Sequence, residues 1–251
     1  MKIVRALWGN YEAFVSEIPT TPLFNEIVYV WGTDNKTFLD NLGYDTKLVS
    51  TNSDVYFNLD NTETFKHKLD CFKLASDDFG EFLFLDWDVS ILKDIDNNFY
   101  STFKGKDFCC PLYAYPNSFL DLLDTNTEWE IAVWQIEQIK QLKLYNWSWE
   151  DLIVLPNAGF FYCSNPSIPD KLIQITKENK LTTLVEEFSI FILSNCELTE
   201  YINKYEPTQI FGRPDGSWHF KVAGVNKDSS YRLNNYIRTL VDKDIYLKHY
   251  E

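Results

Sequence analysis

Positive charge is scarce in this chain: 23 Lys and Arg residues stand against 37 Asp and Glu, a formal net charge of −14. A surface this acidic repels phosphate backbones and anionic lipid, so nucleic acid and membrane insertion are not expected. A polyanionic ligand would need a local cation, and a bound metal is one source of it. Long apolar runs are missing too. No segment approaches the ~20 apolar residues of a membrane-spanning helix, and M-K-I-V-R-A-L-W-G-N at the start does not read as a signal peptide. Cysteine is sparse and odd in number: Cys71, Cys109, Cys110, Cys163 and Cys196, with no C-x-x-C pair. This usage predicts buried free thiols in a reducing compartment instead of a disulfide framework. The expectation is a soluble, cytoplasmic protein without repeats or low-complexity segments.

What is present is apolar and aromatic. Over 251 residues, 45% are hydrophobic and 17% aromatic, enough for one sizeable core. Short apolar runs at 2–8, 26–31, 46–50 and 82–85 read as strands, the first two followed at once by Gly-containing turns. Residues 62–76 carry Phe65, Leu69, Phe72 and Leu74 at near-helical spacing. This is the rhythm of an α/β fold with a mostly parallel central sheet flanked by helices, because strands covered on both faces lose their polar alternation. Further on, 128–142 reads as a helix and 158–163 as a strand. Pro169 fits the first turn of a helix running to about Asn179. A helix over 184–194 opens on a capping-box pattern, Thr183-x-x-Glu186, and 231–245 is a final amphipathic helix. No linker divides the chain, so a single domain is expected.

The chemistry concentrates in F-L-F-L-D-W-D-V-S (82–90). D-x-D alone means little, since Asp94/Asp96 and Asp242/Asp244 repeat it in polar surroundings. Asp86 and Asp88 differ because they close an apolar strand, and ligands of α/β sheets bind beyond the carboxyl ends of strands. Two residues apart on an extended segment, they would point to the same side and offer hard oxygens to a divalent cation. A cation would also offset the cost of carboxylates at the edge of a core.

Residues 65–99, with K-L-D-C-F-K-L before the strand and I-L-K-D-I-D-N-N-F after it, resemble the glycogenin-like retaining glycosyltransferases of the GT-A fold. That resemblance implies a Rossmann-like sheet in a single GT-A-type domain, with 1–90 as the nucleotide-sugar-binding half and 91–251 as the acceptor-binding half. It implies a sugar transferred, with retention, from a nucleotide-diphosphate donor (a UDP-sugar) to a carbohydrate, protein or small-molecule acceptor. Asp86 and Asp88 would bind Mn2+ or Mg2+, with Asp86 also near the ribose and Lys68 near the donor phosphates.

Three further segments extend the likeness. A-L-W-G-N-Y (6–11) is similar to the family's base-binding loop, which makes Trp8, Asn10 and Tyr11 candidates for the nucleobase. P-N-A-G-F-F (156–161) resembles a strand in which Asn157 approaches the sugar and Gly159 allows close backbone approach. W-H-F-K-V-A-G-V-N-K (218–227) is similar to the segment carrying the third metal ligand, here His219, and a diphosphate-binding lysine, here Lys227. The family's D-Q pair appears as Glu186-Glu187; with Glu186 taken as a helix cap, Glu187 is the candidate for acceptor or sugar contact. Two alternatives stay open. One is a haloacid-dehalogenase-like phosphatase with Asp86 as nucleophile, whose motif normally lies on the first strand. The other is a non-catalytic nucleotide-sugar-binding protein on the same fold.

Overall fold

The computed structural model describes residues 1–53, 66–87, 89–91, 97–101, 103, 105–110, 112–114, 154–156, 158–178, 185–193, 211–212 and 247–249. Its elements are β1 (Lys2–Leu7), β2 (Glu26–Trp31), α1 (Thr33–Asn41), β3 (Thr46–Ser50), α2 (Lys66–Phe79), β4 (Phe82–Leu85), β5 (Val89–Ile91) and α3 (Asn97–Ser101). There follow β6 (Phe108–Cys109), β7 (Leu112–Ala114), β8 (Val154–Pro156), β9 (Phe160–Cys163), α4 (Ser167–Glu178), α5 (Val185–Ile192), β10 (Phe211–Gly212) and β11 (Leu247–His249). The expected helices at 128–142 and 231–245 lie outside the described residues.

The chain groups into two compact units. The first, Met1–Val89 with Thr102–Cys110 and Ala158–Ser189, holds a six-stranded sheet in the order β3-β2-β1-β4-β9-β6. The pairs β1–β2, β2–β3 and β1–β4 are parallel, while β9 runs antiparallel to β4 and to β6. The expected mostly parallel α/β sheet is therefore present. In the second unit, β7 pairs antiparallel with β8 and β10 parallel with β11.

Strand alternation sorts the core of the first unit into two layers. On one side Phe84 meets Phe72 of α2 at 5.0 Å between ring centroids, and Phe72 stacks on Phe161 of β9 at 4.4 Å. The buried face of α2 is Lys68, Leu69, Cys71, Phe72, Ala75 and Ser76, a helical stripe with a cation at its first turn. Gly80, at φ 72°, ends α2 and returns its N–H to the Ser76 carbonyl at 2.8 Å. On the other side, Leu7, Ile18, Val28, Val30, Leu39, Tyr44 and Trp87 form a second cluster under α1. Strand β3 leaves Leu48 and Val49 partly exposed, as an edge strand does.

Candidate active site

The strand order places a topological switch point between β1 and β4. The chain runs outward from β1 through β2 to β3, then returns on the other side of β1 with β4. At such a point the connections leave in opposite directions and open a crevice beyond the strand ends. The ends of β1 and β4 carry Trp8 and Asp86.

Asp86 continues the Phe82–Phe84 face toward α2 and meets Lys68, whose Nζ lies 2.8 Å from Asp86 Oδ2 and 3.5 Å from Glu186 Oε1. The Lys68 and Glu186 side chains are 9% and 2% exposed, that of Asp86 26%. Burial alone would depress the Lys68 ammonium, but the Asp86 and Glu186 carboxylates outweigh it and hold the pKa above its ordinary value. Burial pushes Glu186 upward, with the attraction of Lys68 only partly opposing it. Its Oε2 is buried without a hydrogen-bond partner. Lys68 is thus a buried bridging cation, and Glu186 turns one carboxylate oxygen to it; Thr183, the other half of the expected capping box, lies outside the described residues.

The strand paired with β4 completes the group. The Asp86 N–H donates to the Gly159 carbonyl at 2.8 Å, and the Ala158 N–H donates to Glu187 Oε1 at 3.1 Å. Lys68, Asp86, Gly159 and Glu187, far apart in sequence, therefore converge, and Glu186 joins them. Asp88, Asn157, His219 and Lys227 lie outside the described residues.

Beyond Leu85 the backbone does not continue as an extended strand. The Val89 N–H donates to the Asp86 carbonyl at 3.2 Å, and Trp87 lies in a turn. The shared direction expected of Asp86 and Asp88 involves Asp88, which lies outside the described residues. Trp87, between them, is buried: its indole N–H donates to the Ala6 carbonyl at 2.8 Å and its ring meets Tyr44 edge-on at 5.8 Å.

The expected base-binding residues divide between two places. Trp8 stacks on His67 at 5.9 Å and meets the edge of Trp31 at 6.5 Å; its indole N–H is buried without a hydrogen-bond partner. Asn10 instead caps the single helical turn at Tyr11–Ala13, accepting from the Glu12 N–H. The Tyr11 ring stacks on Phe38 at 4.4 Å. Asn10 and Tyr11 line a cleft of about 520 Å³ with Gly9, Asn35, Phe38 and Ser53. Asn35 ties its wall together, accepting from the Tyr11 N–H and donating to the Gly9 and Trp31 carbonyls. Sequence reading missed Asn35 and Phe38, whose only signal was their place in the first turns after the β2 end.

The chemistry of these side chains suits a hard cation. Asp86 and Glu186 lie beside one ammonium, and Glu187 is close enough to act on it electrostatically. The local balance is therefore an excess of negative charge around an oxygen donor that is partly open to solvent. Among the described residues no three His, Cys, Asp or Glu groups converge as a metal site, so Asp86 is the only proposed ligand that is described.

No protein-family model matches the sequence, and neither does any curated protein. Solved structures do show a likeness in chain course. Mouse xyloside xylosyltransferase 1 in its apo form is similar at 10% identity over 99% of this chain and 96% of that one, with a TM-score of 0.44. The galactosyltransferase LgtC, in complex with donor and acceptor sugar analogues, is similar at 15% identity over 100% and 87%, with a TM-score of 0.47. A glycosyltransferase involved in glycosylation of the PBCV-1 major capsid is similar at 10% identity over 99% and 92%, with a TM-score of 0.44.

Proposed function

We propose that the protein is a metal-dependent glycosyltransferase that moves a sugar from a nucleotide-diphosphate donor, a UDP-sugar, to a carbohydrate, protein or small-molecule acceptor. The observation that carries this reading is the switch point between β1 and β4, where Trp8 and Asp86 stand at the strand ends and Lys68 reaches Asp86 from α2. That is where open α/β sheets take nucleotides. The likeness of 65–99 to the glycogenin-like transferases supplies the reaction class, with retention as its stereochemical outcome. With a net charge of −14, the protein would hold a diphosphate only through local cations.

In this reading Asp86 and Asp88, with His219, would hold Mn2+ or Mg2+. When bound, that ion supplies Lewis-acid charge for the departing diphosphate. Lys68 orients the Asp86 carboxylate and adds fixed positive charge at the same strand end. Glu187, anchored to the Ala158 N–H, is the carboxylate for the sugar or acceptor, and Gly159 lets the neighbouring backbone come close. Asn157 and Lys227 would contact sugar and diphosphate. The reaction takes place in the cytoplasm.

The test is a panel of nucleotide sugars incubated with the protein, with and without manganese, read as nucleotide diphosphate release. Metal-dependent release that disappears in Asp88→Ala is the expected result. Donor binding without release on any acceptor would replace the transferase with a binding protein. Phosphate release from phosphomonoesters would replace it with a phosphatase.

A further inference from the structure

Strand β1 buries a cation where its neighbours are apolar. Ile3, Arg5 and Leu7 share one face of the strand, and Arg5 is 1% exposed. A guanidinium so placed is tolerated only when its donors are met. Arg5 Nε donates to Glu26 Oε1 at 2.6 Å, and Glu26 Oε2 in turn accepts from the Leu23 N–H at 2.8 Å. The other end of the fork reaches across the sheet. Nη1 donates to the Asp86 carbonyl, Nη2 donates to the Val89 carbonyl at 3.4 Å, and the guanidinium lies 5.0 Å from the Trp87 ring centroid.

These contacts fall on one short piece of backbone. Asp86 and Val89 lie on either side of Trp87, which sits in a turn and is pinned to Ala6. Hydrogen bonds to the two carbonyls fix the peptide planes that follow Asp86 and Val89. They leave the Asp86 carboxylate itself for Lys68, which approaches from α2. A planar fork can hold two carbonyls at once, whereas the single ammonium of lysine cannot reproduce that geometry.

The geometry points to Arg5 as a positioning residue that sets the backbone at Asp86, the first carboxylate of the D-x-D pair, with Glu26 holding the guanidinium in register. Its bearing on metal affinity rests on the proposed metal-dependent reading; the clamp itself does not. Arg5 acts through the backbone and touches neither donor nor acceptor.

Arg5→Met and Arg5→Lys, checked for folding by circular dichroism, separate a clamp from a plain buried ion pair. Amide hydrogen exchange is followed in the peptide spanning 86–91 and, as reference, in β2. Both variants should speed exchange in 86–91 by about tenfold or more, the loss of a charge-assisted hydrogen bond, with β2 changing much less. Arg5→Lys, which can still pair with Glu26, should regain thermal stability without regaining protection of the turn. Exchange in 86–91 that stays unchanged, or that rises only in step with β2, overturns the proposal. So does full recovery of turn protection in Arg5→Lys. If Arg5→Met fails to fold, Arg5→Lys alone decides by the same comparison.

Manganese affinity, measured by calorimetry on the metal-free protein without donor, should weaken about tenfold in both variants. Asp88→Ala is the control: if it binds manganese like the unsubstituted protein, the metal reading fails while the exchange data still decide the clamp.

Discussion

Asp86 is gripped from both faces of the sheet by two buried cations, and the two grips differ in kind. On the α1 side Arg5 holds the Asp86 carbonyl, with a carboxylate, a second carbonyl and an indole as further partners. On the α2 side Lys68 holds the Asp86 carboxylate and also faces Glu186, one oxygen of which has no partner. The first arrangement closes on fixed backbone, which makes it a scaffold. The second ends on a partly exposed side chain, which is the receptive one in the proposed metal-dependent reading. A single residue can thus have a rigid backbone and an exchangeable side chain, because different elements supply the two sets of partners.

The largest expected effect breaks the receptive side. Lys68→Met leaves Glu186, 2% exposed, opposite Asp86 without a compensating charge, and removing one partner from a buried ion pair costs about 3–5 kcal/mol. Urea unfolding at neutral pH should show a loss of about 3 kcal/mol. A loss below about 1 kcal/mol would mean that Glu186 takes up a proton and needs no partner. Nucleotide diphosphate release should fall about 100-fold as well, since Asp86 loses both its orientation and the neighbouring positive charge.

The difference between the faces also marks what could be read in the sequence. The strands expected at 26–31, 46–50 and 82–85 appear with those bounds, and the 2–8 run appears as Lys2–Leu7, because apolar runs bounded by turns are local signals. Of the helix expected over 62–76, residues 62–65 lie outside the described residues, and the described part runs on past 76, over Lys66–Phe79, with Gly80 as its stop. The meeting of Lys68 with Asp86 was legible only as family likeness, since 18 residues separate them. Arg5 was not legible as a clamp. It is one charged letter in K-I-V-R-A-L-W, and its partners come from β2 and from the far end of β4. The turn at Trp87 was missed for a related reason: the carbonyl contacts beside it leave no trace in side-chain pattern. The capping box expected at Thr183-x-x-Glu186 falls partly outside the described residues, and what the sequence did not signal is that Glu186 also faces a buried ammonium.

On the scaffold side a smaller effect is expected from Trp87→Phe. The substitution removes the indole N–H that donates to the Ala6 carbonyl at 2.8 Å, and it trims a side chain that is 9% exposed. The cost should be about 1–2 kcal/mol in urea unfolding, from one unpaired carbonyl and a partly filled gap. A neutral result would show that the turn is held by Arg5 alone.

Tyr44 tests how well that same side is sealed, and its effect is the smallest. It is 5% exposed, donates to the Pro19 carbonyl at 2.7 Å and meets Trp87 edge-on at 5.8 Å. Burial, with repulsion from Glu26 and against the pull of Arg5, raises its pKa from 10.0 to about 12. The folded state therefore keeps this proton in a range where the unfolded chain has begun to lose it. The contribution to stability is complete below pH 10 and is lost as pH rises through about 12. In Tyr44→Phe the lost hydrogen bond should cost about 1 kcal/mol at neutral pH. Above pH 10 the gap to the unsubstituted protein should shrink, by at most about 1.4 kcal/mol per pH unit. Tyr29, raised by burial and by its hydrogen bond to Asp78 on the opposite face, is untouched by the substitution and keeps its own alkaline slope. A gap that stays constant through this range would mean that water reaches the Tyr44 hydroxyl, and that the scaffold face is as open as the receptive one.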